Sequence, residues 1–493
     1  MDNIKESLAA IIGSEKIDDN PVVLEKYTED HSFSRGVCPM LAVYPQNKTE
    51  VIEIIRWANR TKTPIVPVSS RGSRFNGDTI PFKNSIIMDL RKMNRILKID
   101  ESNRCVMVEP GVTFSQLLPE IHRNGLRLNM PLLPRGSKSV LTSYLEREPP
   151  IIPKYQYDYI DPLLTLEVIY GTGDELRTGS ASGPGDLSHL KSDMVNPWGP
   201  GSIDFHRFIS GAQGTMGIVT WAMIKAEVKP TIEKTFYIPC TEPAHAAALL
   251  AGLLKKRVVD ECLCLDSVIL SAILSNSNTR ICKTLKEDLP PCTVIVRVAG
   301  YKRRAEERVS IQEKYLMDIC EDHGLKISRE LPGVKGIENN FSQRLTGETV
   351  DSTSWKICSG KAYPGIFFLS PLSSAGKYPQ VMRDVVSGDS RVLKNIGFYI
   401  QPLVQGRGCH LDFTLFHDDE YLNKDIAKKL FNELSAAFIK TGAYFSRPYP
   451  HWAEQVYKQN PKNTEALKKI KKIFDPQHIL NPGKLCFQEI SND

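Results

Sequence analysis

Apolar positions along this chain alternate between helical spacing and short continuous runs. In residues 49–60, TEVIEIIRWANR, the apolar positions Val51, Ile54, Ile55 and Ala58 recur at helical spacing, with Thr49 as the expected N-cap. TPIVPV follows as a short buried strand, and NSIIMDL and RCVMVEPG read as two more strands with a turn between them. FSQLLPEIHRNGL reads as a helix that stops at Gly125, and LLTLEVIYGTGDELRTG as a β-hairpin with glycine punctuation. This alternation over residues 1–230 predicts an α/β or α+β domain.

The texture changes from about residue 231. CTVIVRVAGYKRRAEERVSIQEKYLMDICEDHGLKI reads as a strand, a helix and a return strand. GFYIQPLVQGRGCHLDFTLFHDDE is extended, and KDIAKKLFNELSAAFIKTGA is a helix, so a second α+β domain with an antiparallel sheet is expected. The tail NTEALKKIKKIFDPQHILNPGK reads as a helix ended by a proline-containing turn. Its Lys468, Lys469, Lys471 and Lys472 are expected on a solvated face. The segment 180–202, SASGPGDLSHLKSDMVNPWGPGS, is the expected mobile loop.

Composition narrows the class. The 493 residues suffice for two or three domains, and a net charge of +6 is small for that length, so nucleic acid is not an expected partner. No apolar stretch reaches the roughly 20 residues of a membrane span. The amino terminus lacks a secretory apolar core, and eleven scattered cysteines suit a reducing compartment, so a cytoplasmic location is expected.

Residues 67–81, PVSSRGSRFNGDTIP, bury little apolar surface but expose backbone amides, which is what a phosphate group needs. No G-x-G-x-x-G accompanies the first strand-loop-helix, which argues against an ordinary Rossmann site.

This loop resembles the flavin pyrophosphate loop of the vanillyl-alcohol oxidase / p-cresol methylhydroxylase family. Pro67, Ser69, Gly77 and Pro81 match it closely, Arg71 and Gly72 more loosely. Four further segments resemble that family in the same order: MLAVYPQNKTEVIEIIRWAN, VMVEPGVTFSQLLPEIHRNGLRL, ISGAQGTMGIVT and FDPQHILNPGK. The resemblance implies an α+β fold of two domains: an FAD-binding domain (1–230, completed by 451–493) and an α+β cap domain with an antiparallel sheet (231–450). It implies FAD with its pyrophosphate on the amides of Ser70, Arg71, Gly72 and Ser73, and backbone near Ile218 at the adenine end. The further cofactor-binding candidates are Ser69, Arg74, Gly77, Pro110, Gly111, Ser139, Thr142, Ser143, Gly217, Val219, Asn481 and Lys484. The histidine that carries flavin covalently in one branch is replaced by Ser73, so noncovalent FAD is expected.

SVLTSYLEREPP resembles the family segment whose acid sits beside flavin N5, which maps onto Glu146. Arg147 also matches, while Thr142, Ser143 and Glu148 depart from the family's Gly-Asn and Gly. GAYFSRPYPHW aligns Arg447 with the family's substrate-binding arginine, flanked by Tyr444 and Tyr449. A guanidinium suits a phenolate or carboxylate because its donors form a planar fork. His410 is expected to share a strand face with Asp412, whereas His417, seven residues on, falls on the opposite face, so no metal site is expected. The catalytic candidates are Glu146, Arg447, His410 and Tyr444.

The resemblance implies an FAD-dependent dehydrogenase or oxidase. It would take a hydride from an alcohol, a para-substituted phenol or a related hydroxy compound and pass electrons to a separate acceptor, which includes the option of an acceptor protein. A D-2-hydroxy acid dehydrogenase and a redox-neutral FAD-using transferase stay open as alternatives. A small-molecule substrate and a homo-oligomer are expected.

Overall fold

The computed structural model describes residues 2–153, 162–183, 199, 204–275, 279–334, 336, 338–357 and 361–487. Most of the expected mobile loop 180–202 lies outside them, as does the aromatic stretch 155–159.

The strands β1 (Ile17–Asp18), β2 (Leu41–Val43), β3 (Ile65–Val68) and β4 (Ile86–Asp89) form the first sheet in the spatial order β1-β2-β4-β3. Its inner pairs β2/β4 and β3/β4 are parallel, so the chain needs a crossover. The helix Lys48–Thr61 supplies it and buries Val51, Ile54, Ile55, Trp57 and Ala58. Its N-cap is Asn47, not Thr49. Asn47 is extended, and its side-chain oxygen accepts from the Glu50 amide at 3.0 Å, which leaves Thr49 inside the first turn.

The second sheet is antiparallel and contains β5 (Ile96–Asp100), β6 (Cys105–Val108), β7 (Leu126–Leu128), β8 (Leu163–Ile169), β9 (Glu175–Arg177) and β10 (Ile218–Val228), in the order β5-β6-β10-β8-β9 with β7 also on β10. The hairpin expected from LLTLEVIYGTGDELRTG is β8/β9. The expected turn between NSIIMDL and RCVMVEPG is not simple: β4 and β6 belong to different sheets, and β5 intervenes to pair with β6.

The third sheet follows in the chain, in the stretch expected to form the cap. The strands β11 (Ile232–Cys240), β12 (Glu261–Asp266), β13 (Cys292–Gly300), β14 (Ile366–Ser370), β15 (Ile396–Leu403) and β16 (Gly408–Leu415) run antiparallel in the order β11-β13-β12-β15-β16-β14. The period of two along each strand gives this sheet two buried faces. Val294, Val296, Val298, Leu411 and Phe413 share one core with the helices Pro243–Lys256 and Lys424–Thr441. Leu263, Ile295 and Tyr399 share another with Leu132, Leu133 and Ile151 of the first half of the chain. The return strand expected after the helix Ala305–Asp322 shrinks to one bridge, Tyr237 to Ser328, on the edge strand β11.

Two devices tie the parts together. Arg127 on β7 meets Glu233 (2.9 Å) and Glu261 (3.0 Å) of the cap sheet, and Arg297 on β13 meets the same carboxylates at 2.8 and 2.6 Å. The tail closes the first sheet, since Ile65 donates to the Ile479 carbonyl (2.7 Å) and Asn481 to the Ile65 carbonyl (2.8 Å). Lys471 departs from the expected solvated face. It is buried, ion-paired to Asp475, and donates to the carbonyls of Thr215 (2.5 Å) and Leu480 (3.1 Å). Among the described residues no helix is long and apolar enough to cross a membrane.

Candidate functional site

The loop after β3 lies along a cleft open to solvent. Ser69, Ser70, Ser73 and Arg74 line it from the loop, Pro110, Thr142 and Glu146 from the segment after β6, and Gly217, Ile218 and Val219 from the start of β10. Gly72 and Gly77 hold φ of +78° and +72°, conformations a side chain resists. The loop is pinned from beneath: Lys484 donates to the carbonyls of Gly77 (2.7 Å) and Ile80 (2.6 Å), and Asp30 accepts from the Gly77 amide at 2.8 Å. Burial lowers the Lys484 ammonium below its ordinary value and raises its neighbour Asp78, which lines the cleft, above the usual carboxylate range.

Not every expected cofactor residue reaches the cleft. The Arg71 amide is spent on the Ser137 carbonyl (3.2 Å), and the Arg71 carbonyl accepts from Arg135. Gly72 lines an outer groove with His31 and Arg74. Gly111 is a packing glycine, since a Cβ there would meet the Met93 carbonyl oxygen at 2.7 Å. Ser139 caps the helix Val140–Leu145 and donates to the Pro110 carbonyl (2.6 Å), and Ser143 donates to Glu148 (2.5 Å).

Sequence reasoning missed Gln213. It lines the cleft with a φ of +53°, in a turn flanked by Gly211 and Gly214 at positive φ. Its side-chain amide donates to the Pro448 carbonyl (3.2 Å), which fixes the orientation of the group. Asn481 donates to the carbonyls of Asp78 (2.8 Å) and Gln213 (2.7 Å). The amide oxygens of Gln213 and Asn481 are buried and have no hydrogen-bond partner among the described residues. Orphaned acceptors beside a large cleft fit a ligand that carries N–H or O–H donors, as FAD does. The only sequence signal was a polar residue inside the glycine turn GAQGTMG.

A second cavity, of about 120 Å³, adjoins the first and shares Phe75, Asn76, Arg135, Lys138 and Arg447 with it. Trp355, Phe367 and Tyr399 give it aromatic walls, and His410, Asp412, Lys356 and Glu148 supply polar groups. Arg447 is 8% exposed, sits 4.2 Å over the Phe367 ring, and donates to the Glu146 carbonyl at 3.3 Å. His410 and Asp412 share a face of β16, as expected from their spacing, and Asp412 is paired with Lys356 at 2.5 Å. Burial holds the His410 imidazole well below its ordinary value, with Arg447 and Lys356 pushing the same way, so it is neutral at pH 7. His417 sits apart, bonded to Tyr363 at 2.7 Å and Asp419 at 2.9 Å. Tyr444 points away: it is 65% exposed, and its backbone pairs with Leu369 at the edge of the cap sheet. Tyr449 lines the cleft in its place.

At the seam of the two cavities Lys138 bridges Glu146 (2.7 Å) and Glu148 (2.7 Å). Between them Arg147 takes a φ of +56°, so the chain turns sharply. Glu146 lines the cleft and Glu148 lines the second cavity.

A cleft lined by a serine- and glycine-containing loop beside an aromatic-walled chamber fits a flavin-dependent oxidoreductase. Residues 39–140 match the FAD binding domain and residues 451–485 the C-terminal domain of FAD linked oxidases. The 4-cresol dehydrogenase (hydroxylating) flavoprotein subunit of Pseudomonas putida is 23% identical over 480 residues, 92% of this chain and 89% of that protein. The glycolate oxidase subunit GlcD of Bacillus subtilis (strain 168) is 27% identical over 259 residues, 52% of this chain and 52% of that protein, so the match spans about half of the relative. The fold is that of p-cresol methylhydroxylase with substrate bound (TM-score 0.79, 20% identity, 100% of this chain and 98% of that one). It is equally that of 4-ethylphenol oxidase from Gulosibacter chungangensis (TM-score 0.82, 18% identity, 99% and 97%). The chain carries the FAD binding domain and the C-terminal domain of FAD linked oxidases, shares the fold of p-cresol methylhydroxylase, and is an FAD-dependent oxidoreductase.

Proposed function

We propose that this enzyme oxidises a small aromatic hydroxy compound, an alcohol or a para-substituted phenol, that presents an anionic or polarised oxygen to Arg447. The observation that carries this is the buried Arg447 guanidinium, which lies at the wall common to both cavities, meets a ring face and a carbonyl, and among the described residues forms no ion pair, although Glu148 lines the same chamber. A buried cation so placed favours a ligand anion. Trp355, Phe367 and Tyr399 offer flat apolar surface for an aromatic ring. Bound FAD supplies a two-electron acceptor. Ser69, Ser70, Ser73 and Gly217 would hold it along the cleft, without a covalent link at Ser73. The reading keeps residues 1–230 and 451–493 as the cofactor domain and 231–450 as the cap, supported by the change of sheet between β10 and β11. The electron acceptor is a separate molecule.

The test is the absorbance spectrum of the purified protein under anaerobic addition of alcohols, phenols and 2-hydroxy acids. Bleaching of a flavin band by aromatic hydroxy compounds supports the reading, and Arg447→Met should then lower kcat/KM about 10- to 150-fold, the worth of one hydrogen bond to a charged group. Flavin that stays with an acid-precipitated pellet refutes noncovalent binding. Reduction by aliphatic hydroxy acids alone refutes the aromatic assignment.

A further inference from the structure

We propose that Glu148, not Glu146, is the carboxylate that contacts the substrate hydroxyl and takes its proton, with Lys138 as its positioning residue. The inference rests on the reading above of the second cavity as the substrate chamber.

The two glutamates lie two residues apart, but the left-handed turn at Arg147 sends them to different cavities. Glu146 ends the helix Val140–Leu145 and lines the cofactor cleft. Glu148 lines the chamber together with Tyr399, His410 and Arg447. Its two oxygens are each fixed by one donor: Oε1 by the Lys138 ammonium (2.7 Å) and Oε2 by the Ser143 hydroxyl (2.5 Å). A carboxylate has about four lone-pair sites, so each oxygen keeps one for a ligand. Rigid fixation by two donors is what positions a proton acceptor.

The charge state agrees. Burial pushes the Glu148 carboxyl up, but Lys138, Ser143 and Arg447 together outweigh burial and hold it below its ordinary value, so it is an anion at neutral pH. A weak base suffices, because the hydroxyl becomes strongly acidic as its carbon becomes a carbonyl. The balance is simple. Bound FAD would supply the acceptor for the two electrons of the carbinol C–H bond, while the O–H bond breaks with its proton going to a Glu148 oxygen and a C=O bond forms. The substrate is oxidised by two electrons and FAD is reduced by two.

The experiment uses holoenzyme and two ligand pairs that differ by one hydroxyl: 4-hydroxybenzyl alcohol against 4-methylphenol, and 2-hydroxy-2-phenylacetate against phenylacetate. Binding is read from the emission of Trp355, which lines the chamber, with Trp355→Phe as the control that identifies the signal. Wild type should bind the hydroxyl member of at least one pair about tenfold or more tighter. Glu148→Leu should erase that preference, and Glu146→Gln should keep it. For donors that bleach wild-type flavin, Glu148→Gln should slow the reduction at least about 100-fold with FAD affinity within threefold. It should also remove the acidic limb of the rate–pH profile. Lys138→Met should shift that limb. Preference retained in Glu148→Leu, or lost only in Glu146→Gln, overturns the assignment. Wild type that distinguishes neither pair overturns it as well. A hydroxyl preference that depends on Glu148 without any flavin reduction leaves the contact standing and overturns the proposed oxidation instead.

Discussion

The most quantitative expectation concerns acid stability and His451. This residue opens the helix Pro450–Tyr457, with its ring edge-on to Phe431 (5.4 Å) and Trp452 (5.5 Å). Its Nε2 is buried and has no hydrogen-bond partner among the described residues. Burial lowers its pKa from 6.5 to about 4, Lys484 adding to the effect and Asp30 opposing it. The unfolded chain therefore takes up this proton near pH 6.5, and the folded chain only near pH 4. Between those values the unfolded state binds more protons, so stability falls as the pH falls. At about 1.4 kcal/mol per pH unit, the interval amounts to about 3 kcal/mol from this one imidazole. His451→Phe keeps the ring contacts and removes the titration. His410 carries the same sign in both proteins, so the difference between wild type and variant isolates His451. The assay is urea unfolding at pH 7.5, 6.5, 5.5 and 4.5, followed by tryptophan emission. The variant should gain on wild type by about 1.4 kcal/mol per unit below pH 6.5. Parallel stability curves would refute the buried neutral imidazole.

Two further outcomes follow from buried polar groups. Lys471→Met removes the partner of the buried Asp475 and leaves the Thr215 and Leu480 carbonyls without its donor. Unfolding free energy should drop by about 3–5 kcal/mol, with part restored by Asp475→Asn in the same chain. Gln213→Leu removes an orphaned acceptor from the cofactor cleft, so FAD titrated into apoprotein should bind about tenfold more weakly by flavin fluorescence. Unchanged affinity would mean that this amide oxygen meets water and not FAD.

How much of this was legible from residues alone depends on the range of the interaction. The helix over residues 48–61 was readable because apolar spacing is local. Its cap was misplaced by two residues because Asn47 and Thr49 are both competent acceptors, and the extended backbone at Asn47 decides between them. Lys471 looked solvated because a run of lysines at the end of a helix normally is. Only packing against Thr215 and Leu480, far away or around a turn, buries one of them. Arg447 and its flanking Tyr444 were both catalytic candidates in sequence. Backbone pairing of Tyr444 with Leu369 turns that side chain outward, while Arg447 falls onto Phe367.

The sequence by itself determined the cofactor class, several of the strands and helices and the alternation that puts His410 beside Asp412. Those features come from motifs and periods a few residues long. Which of two neighbouring glutamates meets which cavity was decided by one positive φ at Arg147 and by Lys138 between them. Whether Gln213 had a partner was decided by the Pro448 carbonyl, 235 residues away. Such choices depend on atoms that are neighbours only after the cap sheet has closed over the cofactor half, and no local pattern encodes them.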